Sequence, residues 1–294
     1  MKKISKTIIF FGSGPVAAKS LKFIAKHFDV EAIITKPTTA DEMHAAAPDV
    51  SLLTVENKVA LTTLMATKLF SSQLGIIVDF GIIVEQTVID YFPRGIINAH
   101  FSLLPEWRGA DPITFTLLSG QSKTGVSLIL IVEKLDEGPL LAQSDLVLSE
   151  DVSADELTDE LIELSNHMIE EIVPLYMEGK LRPYEQPSDI KPTYSRKLTK
   201  EDGNIDWQKP AEVIEREIRA FAIWPKSRTT LAGKEVIITK ARVLPREDGK
   251  VGEVFTADKQ LVVRCGKDAL VIERLKPAGK KEMPAQAFIA GIRR

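Results

Sequence analysis

Asn98 and His100 lie at the exit of the apolar run Gly95–Ala99, and their side-chain types suit catalysis. Side chains two positions apart in a strand point to the same face of a sheet. A third polar group, Asp136, lies in a loop between two further apolar runs. An amide, an imidazole and a carboxylate suit acyl transfer to an amine, because donors stabilise the oxyanion and the His/Asp pair handles the proton. A structural role for the histidine is the alternative that this spacing leaves open.

These side chains need a framework, and the first half of the chain predicts one. Apolar runs alternate there with amphipathic stretches, which is typical of an α/β fold with a doubly wound, Rossmann-like parallel sheet. Reactive groups in such a sheet gather beyond the carboxyl ends of its strands. The predicted strands are Thr7–Phe11, Val30–Ile34, Leu74–Val78, Gly95–Ala99, Val126–Val132 and Leu140–Leu148, and the predicted helices are Val16–Ile24, Lys58–Leu69, Glu85–Tyr91 and Ser153–Met177.

The second half of the chain has a different pattern. A Pro-rich stretch, Gln186–Pro192, indicates a linker. After a short amphipathic helix at Pro210–Ala220, five short runs joined by Gly, Asp and Lys turns favour a small OB-like β-barrel. We therefore predict a catalytic domain over residues 1–185, a linker over 186–208 and a C-terminal β-barrel over 209–294. The five runs are Arg228–Leu231, Glu235–Ile238, Gly252–Thr256, Gln260–Arg264 and Ala269–Arg274.

Charge is distributed unevenly along the 294 residues, although the net charge is only −3. Residues 1–190 carry 15 Lys and Arg against 27 Asp and Glu, or −12, whereas residues 191–294 carry 23 against 14, or +9. Such asymmetry favours a polyanionic partner for the C-terminal half. Attraction between the two halves is the alternative explanation. An apolar fraction of 44% excludes a wholly disordered chain.

The cysteine and histidine residues limit which disulfides and metal sites the chain could form, and they bear on its cellular compartment. Cys265 is the single cysteine, so it forms no intramolecular disulfide and no Cys-based metal site. His27, His44 and His167 have no partner at metal-ligand spacing, and we expect no metal. The apolar run that follows the basic N-terminus, Ile8–Phe11, is too short for a signal peptide or a membrane span. We expect a cytoplasmic protein.

Three stretches around the candidate site form one longer motif. They are Ile97–Pro105, Trp107–Ala110 with Pro112, and Asp136–Gly138. This motif resembles the active-site pattern of the 10-formyltetrahydrofolate-dependent formyltransferases. Three stretches of the second half are similar to the branch of that family that acts on initiator methionyl-tRNA. These are Lys200–Trp207, Arg219–Phe221 with Trp224 and Pro225, and Pro277–Lys281 with Met283.

The resemblance implies roles for individual residues. Asn98, His100 and Asp136 stand at the catalytic positions, and Ser102, Leu103, Leu104 and Pro105 stand at the segment that contacts the formyl-folate. It also implies 10-formyltetrahydrofolate as formyl donor, initiator methionyl-tRNA as partner, a monomer, and no metal. A formyltransferase acting on another amine, such as an amino-sugar nucleotide, is the alternative. The basic C-terminal half favours tRNA, because a small nucleotide sugar does not need it.

The chain also departs from the family pattern. A basic loop that usually follows the second strand is replaced by Lys36–Pro48. Two acidic residues, Glu106 and Asp111, stand where relatives tend to have Arg and Ala. The second acid of the family's usual Asp-Thr-Gly-Asp is absent, because Pro139 follows Gly138. We therefore expect phosphate contacts to fall on C-terminal cations. They include Lys276, Lys280, Lys281, Arg293 and Arg294.

The turn Gly12–Ala17 fits the weak dinucleotide pattern G-x-G-x-x-A. In that fold an acidic residue at the end of the second strand binds the ribose, but Thr35 and Lys36 stand there. We interpret the glycines as a tight turn into a helix.

Overall fold

A computed structural model describes residues 7–292, which form two compact units. The first extends to Pro112 and includes Lys123–Val147 and Thr158–Ser195, while the second contains Ile113–Ser122, Leu148–Leu157 and the chain from Arg196 onward. The basic N-terminus Met1–Lys6 lies outside the described residues, as do Arg293 and Arg294, which the sequence analysis includes among the phosphate-binding cations. The proposed domain boundaries at residues 185 and 208 remain predictions.

A seven-stranded mixed sheet organises the first unit, in the order β3-β2-β1-β4-β5-β7-β8. The first five strands of that order run parallel, and β7 and β8 are antiparallel to their neighbours. A two-residue strand, β6, pairs with β9. The bounds are β1 Thr7–Gly12, β2 Asp29–Thr35, β3 Leu52–Thr54, β4 Gly75–Val78, β5 Ile96–His100, β6 Arg108–Gly109, β7 Lys123–Leu130, β8 Leu140–Val147 and β9 Tyr194–Ser195.

The α/β class predicted from the sequence is confirmed, but the sheet is not wholly parallel. The loop between β7 and β8 spans only Ile131–Pro139. A parallel crossover takes about a dozen or more residues, usually as a helix, so these strands form an antiparallel pair instead. The chain order reverses between β1 and β4, which makes the crevice beyond their carboxyl ends the expected ligand site.

Eight α-helices are found within the described residues: α1 Pro15–His27, α2 Ala40–Ala46, α3 Lys58–Thr67, α4 Gln86–Ile89, α5 Pro112–Ser119, α6 Ala154–Met177, α7 Ala211–Ala220 and α8 Ala285–Ile292. One face of the sheet buries Phe11 and Ile77 against Leu61 of α3 and Val88 of α4. The segment after β2, expected as a loop, forms a 3₁₀ turn at Pro37–Thr39 and then α2. Among residues 7–292, no helix is long and apolar enough to cross a membrane.

The glycine turn after β1 packs tightly against α1. A Cβ at Gly12 would lie 2.6 Å from Cβ of Ala17, and Gly14 has φ +87°, in the left-handed region that favours glycine. Both glycines therefore have a conformational reason, which agrees with the interpretation as a turn into a helix.

The second unit is built on a six-stranded antiparallel sheet, in the order β10-β11-β14-β13-β12 with β15 beside β14. Its core buries Ile214 and Ile218 of α7 against Val236, Leu270 and Phe288. Its strands are β10 Ser227–Leu231, β11 Lys234–Leu244, β12 Val254–Ala257, β13 Gln260–Arg264, β14 Ala269–Pro277 and β15 Met283–Pro284. The predicted β architecture of the C-terminal half is confirmed. Cys265 is fully buried in this core, and burial raises the pKa of its thiol to about 11.

Candidate active site

Strand β5, an interior strand of the sheet, places Asn98 and His100 at its carboxyl end. Ile96 and Ile97 are fully buried and fix this strand between β4 and β7. Asn98 lies beside Ile77 of β4, and His100 pairs with Ser127 of β7. The strand alternation predicted from the sequence therefore holds, and both polar residues lie where β5 ends.

The structure brings His100 and Asp136 together. Nδ1 of His100 lies 3.7 Å from Oδ1 of Asp136, and the two residues are only 6% and 9% exposed. That separation exceeds hydrogen-bond length, so Asp136 acts on a protonated His100 through charge across a short gap. The other carboxylate oxygen, Oδ2, accepts a hydrogen bond of 2.8 Å from the backbone N–H of Gly109.

The His100 ring is oriented by a backbone carbonyl. Nε2 lies 3.0 Å from the carbonyl oxygen of Trp107, an acceptor that requires the proton to be on this nitrogen. Burial lowers the pKa of His100, against the opposing effects of Asp136 and of the Trp107 carbonyl. The resting imidazole is therefore neutral near pH 7, with the lone pair of Nδ1 facing Asp136.

The loop that carries Asp136 has little conformational freedom. Asp136 has φ +55°, in the left-handed region that is uncommon for residues other than glycine. Gly138 lies directly against β7, where a Cβ would come within 1.7 Å of the carbonyl oxygen of Leu130. Only glycine allows the loop to pass this close to the strand, which explains the glycine two residues after the acid.

The Asn98 amide is available to a ligand. The side chain is half-buried, and it makes no hydrogen bond with another of the residues 7–292. A partly buried amide without a partner is uncommon in a folded protein. Its two N–H donors are therefore free for an acceptor on a bound molecule.

The segment Ser102–Pro105 is held inside the protein. Ser102 and Leu104 are buried and Leu103 is partly exposed. Ser127 Oγ donates to the carbonyl of Ser102 at 2.6 Å and accepts from the N–H of Leu104 at 3.0 Å. Ser102 Oγ in turn donates to the carbonyl of Glu106 at 2.5 Å. These bonds make the turn stiff, and the expected contact of this segment with folate stays a prediction.

Two charged groups lie beside the site: Asp79, which the sequence pattern did not single out, and Lys36, which it singled out only as part of the shortened loop. Asp79 follows β4 with φ +45°, and its backbone carbonyl accepts from the N–H of Ser13 at 2.9 Å. Partial desolvation raises the pKa of its carboxyl, with Lys36 opposing and Asp111 adding to the shift. The Lys36 ammonium reaches the same place, since a Cβ at Gly81 would lie 2.7 Å from Nζ. An acid directly after the apolar run Leu74–Val78 was the signal available in the sequence.

No group of three or more His, Cys, Asp or Glu side chains within residues 7–292 is arranged to hold a metal ion.

Comparison with known families identifies the class. Residues 16–173 match the model described as "Formyl transferase", and residues 197–293 match "Formyl transferase, C-terminal domain". The chain belongs to the formyl transferase family.

Curated relatives narrow this class. The chain is 34% identical over 300 residues to methionyl-tRNA formyltransferase of Neisseria meningitidis serogroup C, covering 97% of this chain and 96% of the relative. It is 30% identical over 301 residues to methionyl-tRNA formyltransferase of Chloroflexus aurantiacus, with the same coverage. Within the family, the chain belongs with the methionyl-tRNA formyltransferases.

Solved structures share the fold at lower identity. An N-formyltransferase from Helicobacter canadensis, in complex with folinic acid and dTDP-3-aminofucose, superposes with a TM-score of 0.69 and 18% identity, covering 95% of this chain and all of that one. HypX from Aquifex aeolicus, in complex with tetrahydrofolic acid, superposes with a TM-score of 0.67 and 17% identity. That match covers 97% of this chain and 47% of the longer HypX chain.

Proposed function

We propose that this chain transfers the formyl group of 10-formyltetrahydrofolate to the free α-amine of initiator methionyl-tRNA, for translation initiation. One observation supports the chemistry above all: the unpartnered Asn98 amide shares a strand end with the buried His100–Asp136 pair. Substrates of this kind place the enzyme in the cytoplasm, and we expect it to act as a monomer.

Asn98 is the group that stabilises negative charge. The donor supplies an activated formyl carbon, whose oxygen gains negative charge as the amine attacks. The free N–H groups of Asn98 hydrogen-bond that oxygen from a partly buried position, where such bonds are stronger than in water. Because the amide is already held on a central strand, little reorganisation is needed when charge develops.

His100 and Asp136 handle the proton. A neutral His100 accepts a proton from the amine on Nδ1, while Nε2–H remains on the Trp107 carbonyl. The carboxylate of Asp136 then faces the imidazolium across the 3.7 Å gap and stabilises its charge. When the tetrahedral intermediate collapses, the bond between the formyl carbon and N10 of the folate breaks, and the imidazolium returns the proton to N10, which leaves as tetrahydrofolate. Because the Nε2–H of His100 already has a partner in the protein, the Trp107 carbonyl, we assign binding of the oxyanion to Asn98.

The loops beside these residues fit a folate. Ile83, after β4, is 72% exposed, and Leu135, directly before Asp136, is 69% exposed. Large apolar side chains this accessible suit contact with a flat heteroaromatic ring, which removes their surface from water. Ile83 and Leu135 are the residues of this chain that we assign to the pterin, together with the stiff turn Ser102–Pro105.

Substitutions in that turn separate stiffness from side-chain contact. Ser102→Ala is expected to change turnover little, because the hydroxyl donates to the Glu106 carbonyl rather than to a ligand, and the two Ser127 bonds still hold the turn. Pro105→Gly is expected to raise the apparent KM for the formyl donor, because the turn loses its fixed φ. Steady-state kinetics with varied donor measure both, with the exposed Pro245→Gly as control. Large and equal losses from both variants would contradict a backbone role.

The C-terminal unit offers free cations for tRNA phosphates. Lys280 and Lys281 lie in the exposed turn between β14 and β15. The adjacent acid, Glu282, is already engaged, since Arg274 Nε lies 2.9 Å from its Oε1 and Thr239 donates to the same oxygen. The two ammonium groups make no ion pair within residues 7–292 and are available to a polyanion.

Removing both lysines is expected to weaken the salt dependence of tRNA binding. Each lost phosphate contact lowers the slope of log K against log salt by roughly 0.7–0.9, so Lys280→Ala with Lys281→Ala should flatten it by about one to two units. Formylation of bound substrate should be unaffected. Filter binding across a salt series measures the slope, and the double variant Lys22→Ala with Lys26→Ala removes two exposed charges from α1 as control.

Lys36 provides the test that could contradict the proposal that C-terminal cations hold the tRNA phosphates. This residue is the cation that remains where relatives have a basic loop, and its ammonium lies over Gly81. An unchanged slope in the C-terminal double variant, or a collapse of binding from Lys36→Ala alone, would show that the catalytic unit holds the tRNA.

The proposed function is tested directly by incubating the protein with 10-formyltetrahydrofolate and charged initiator methionyl-tRNA, followed by mass analysis of the released aminoacyl group. Formyl-methionine is the expected product. Parallel reactions with amino-sugar nucleotides test the alternative substrate class. Formylation of a sugar amine without formylation of methionyl-tRNA would overturn the proposal.

A further inference from the structure

The segment 184–195, which the sequence analysis assigns mostly to a linker, is built into the catalytic unit. Tyr184 exchanges two backbone hydrogen bonds with Leu140 at the start of β8, of 2.7 and 2.9 Å. At the other end of the segment, β9 pairs in parallel with β6. The segment therefore contacts both loops that surround the His100–Asp136 pair.

Gln186 makes the central contacts of this segment. Its Nε2 donates to the carbonyl oxygens of Asp136 at 2.7 Å and of Gly138 at 2.9 Å. Its Oε1 accepts from Nη2 of Arg108 at 2.7 Å. Both N–H donors and one acceptor site of the amide are thus used, and they join the Asp136 loop to β6, the strand of Arg108 and Gly109.

Arg108 holds the Asp136 loop from a second direction. Nη1 of Arg108 lies 3.2 Å from Oε1 of Glu137, the residue between the two carbonyls that Gln186 binds. The next residue, Gly109, donates its N–H to Oδ2 of Asp136. One network therefore fixes the backbone of Asp136 and one of its two carboxylate oxygens.

A second set of contacts of segment 184–195, made by Thr193, fixes the backbone at Trp107, whose carbonyl orients His100. The N–H of Trp107 donates to Oγ1 of Thr193 at 2.8 Å, and the N–H of Arg108 donates to the carbonyl of Thr193 at 3.0 Å. Trp107 has φ +54° and presents its carbonyl to Nε2 of His100. The segment thus braces the partners of both ring nitrogens, through Thr193 on one side and Gln186 on the other.

We propose that Gln186 is a positioning residue. It holds the backbone of Asp136 in its left-handed conformation, so that Oδ1 of Asp136 faces Nδ1 of His100. The inference rests on the proposed function, because it assumes that this pair handles the proton of the amine. Gln186 itself touches neither reacting group. Its effect on turnover passes through Asp136, since both of its donors bind the backbone of the Asp136–Gly138 loop.

Gln186→Met tests this role with a side chain of similar length and no charge. Without the two donors, the Asp136 loop is released on one side, and Oδ1 moves relative to His100. We expect kcat to fall by about 10- to 100-fold, the scale of loss for a misplacement near 1 Å, with the KM of both substrates little changed. Gln73→Met, at an exposed glutamine, is the matched control.

A titration of His100 by NMR distinguishes positioning from general damage. Asp136 opposes the effect of burial on the pKa of His100, so a carboxylate that moves away lets the pKa fall further. In Gln186→Met, His100 should therefore titrate at lower pH than in the wild type, and Asp136→Asn should shift the titration of His100 in the same direction. The spectrum of His100→Ala assigns the signal among the four histidines.

A double-mutant cycle supplies the last test. If Gln186 acts through Asp136, then Gln186→Met should cost nothing further in an Asp136→Asn background. Wild-type turnover in Gln186→Met beside an impaired Asp136→Asn would overturn the inference and leave the proposed function intact. Additive losses, or an unchanged His100 titration, would also overturn it. A silent Asp136→Asn would instead refute the proposed roles of the pair.

Gln186→Glu keeps the inference testable if the methionine variant fails to fold. Glutamate has the same size and still accepts from Arg108, but its oxygens cannot donate to the two carbonyls. Its kcat should fall as in Gln186→Met, and wild-type kcat would overturn the inference.

Discussion

Asn98→Ala is expected to lower the rate of formyl transfer by about 10²–10³-fold, the usual cost of removing one oxyanion donor. His100→Ala is expected to cost at least as much, because the amine then loses its proton acceptor. Binding of tRNA should change little in both variants, since neither side chain is among the cations proposed to hold phosphates. Single-turnover formylation with enzyme in excess measures the chemical step apart from product release.

His44→Ala is the matched control for this experiment. His44 is exposed on α2, and its loss should leave the rate unchanged. Near wild-type single-turnover rates in either Asn98→Ala or His100→Ala would show that the assigned roles are wrong.

The spacing of Asn98 and His100 was enough to predict that they share a face, because strand alternation is a strict local rule. Their distance from Asp136 along the chain carries no such rule. The sequence joined them only through resemblance to a family, and the fold supplies the physical reason. The β7–β8 loop returns to the end of β5, because β5 and β7 are neighbours in the sheet.

The partners that orient these residues were beyond sequence reasoning. Trp107 acts on His100 through a backbone carbonyl, and a backbone atom has no signature in the side-chain pattern. Gln186 lies about fifty positions from Asp136 and inside a Pro-rich stretch, where composition predicts a linker. Asp79 was within reach of a positional rule, since polar residues at the carboxyl ends of parallel strands are candidates for a site.

The secondary-structure elements that were predicted correctly are those with a strong local sequence pattern, and the elements that were missed lack one. The strand Thr7–Phe11 was predicted within one residue of the observed β1, because the run is apolar from Ile8 onward and is followed by a glycine. The strand β3, Leu52–Thr54, and the helix α2 were missed. Three residues at the edge of a sheet give no period, and α2 follows a proline and two threonines that favour a loop.

Asp136→Asn is expected to lower the rate by about 10²–10³-fold and to change its pH dependence. The substitution removes the charge that opposes burial, so the pKa of His100, already lowered, falls further. Protonation of His100 then requires more acid, and the acid limb of the profile of kcat/KM moves to lower pH. The plateau falls at the same time, because a histidine of lower pKa is a weaker proton acceptor.

The pH profile separates this electrostatic effect from a loss of folding. Asp145→Asn removes the same charge from an exposed position on β8 and should leave both the plateau and the acid limb unchanged. Unfolding lowers the plateau and leaves the limb in place, because the surviving molecules keep the native pKa of His100. A limb that stays in place or moves to higher pH in Asp136→Asn would mean that His100 does not accept the proton of the amine beside a charged Asp136.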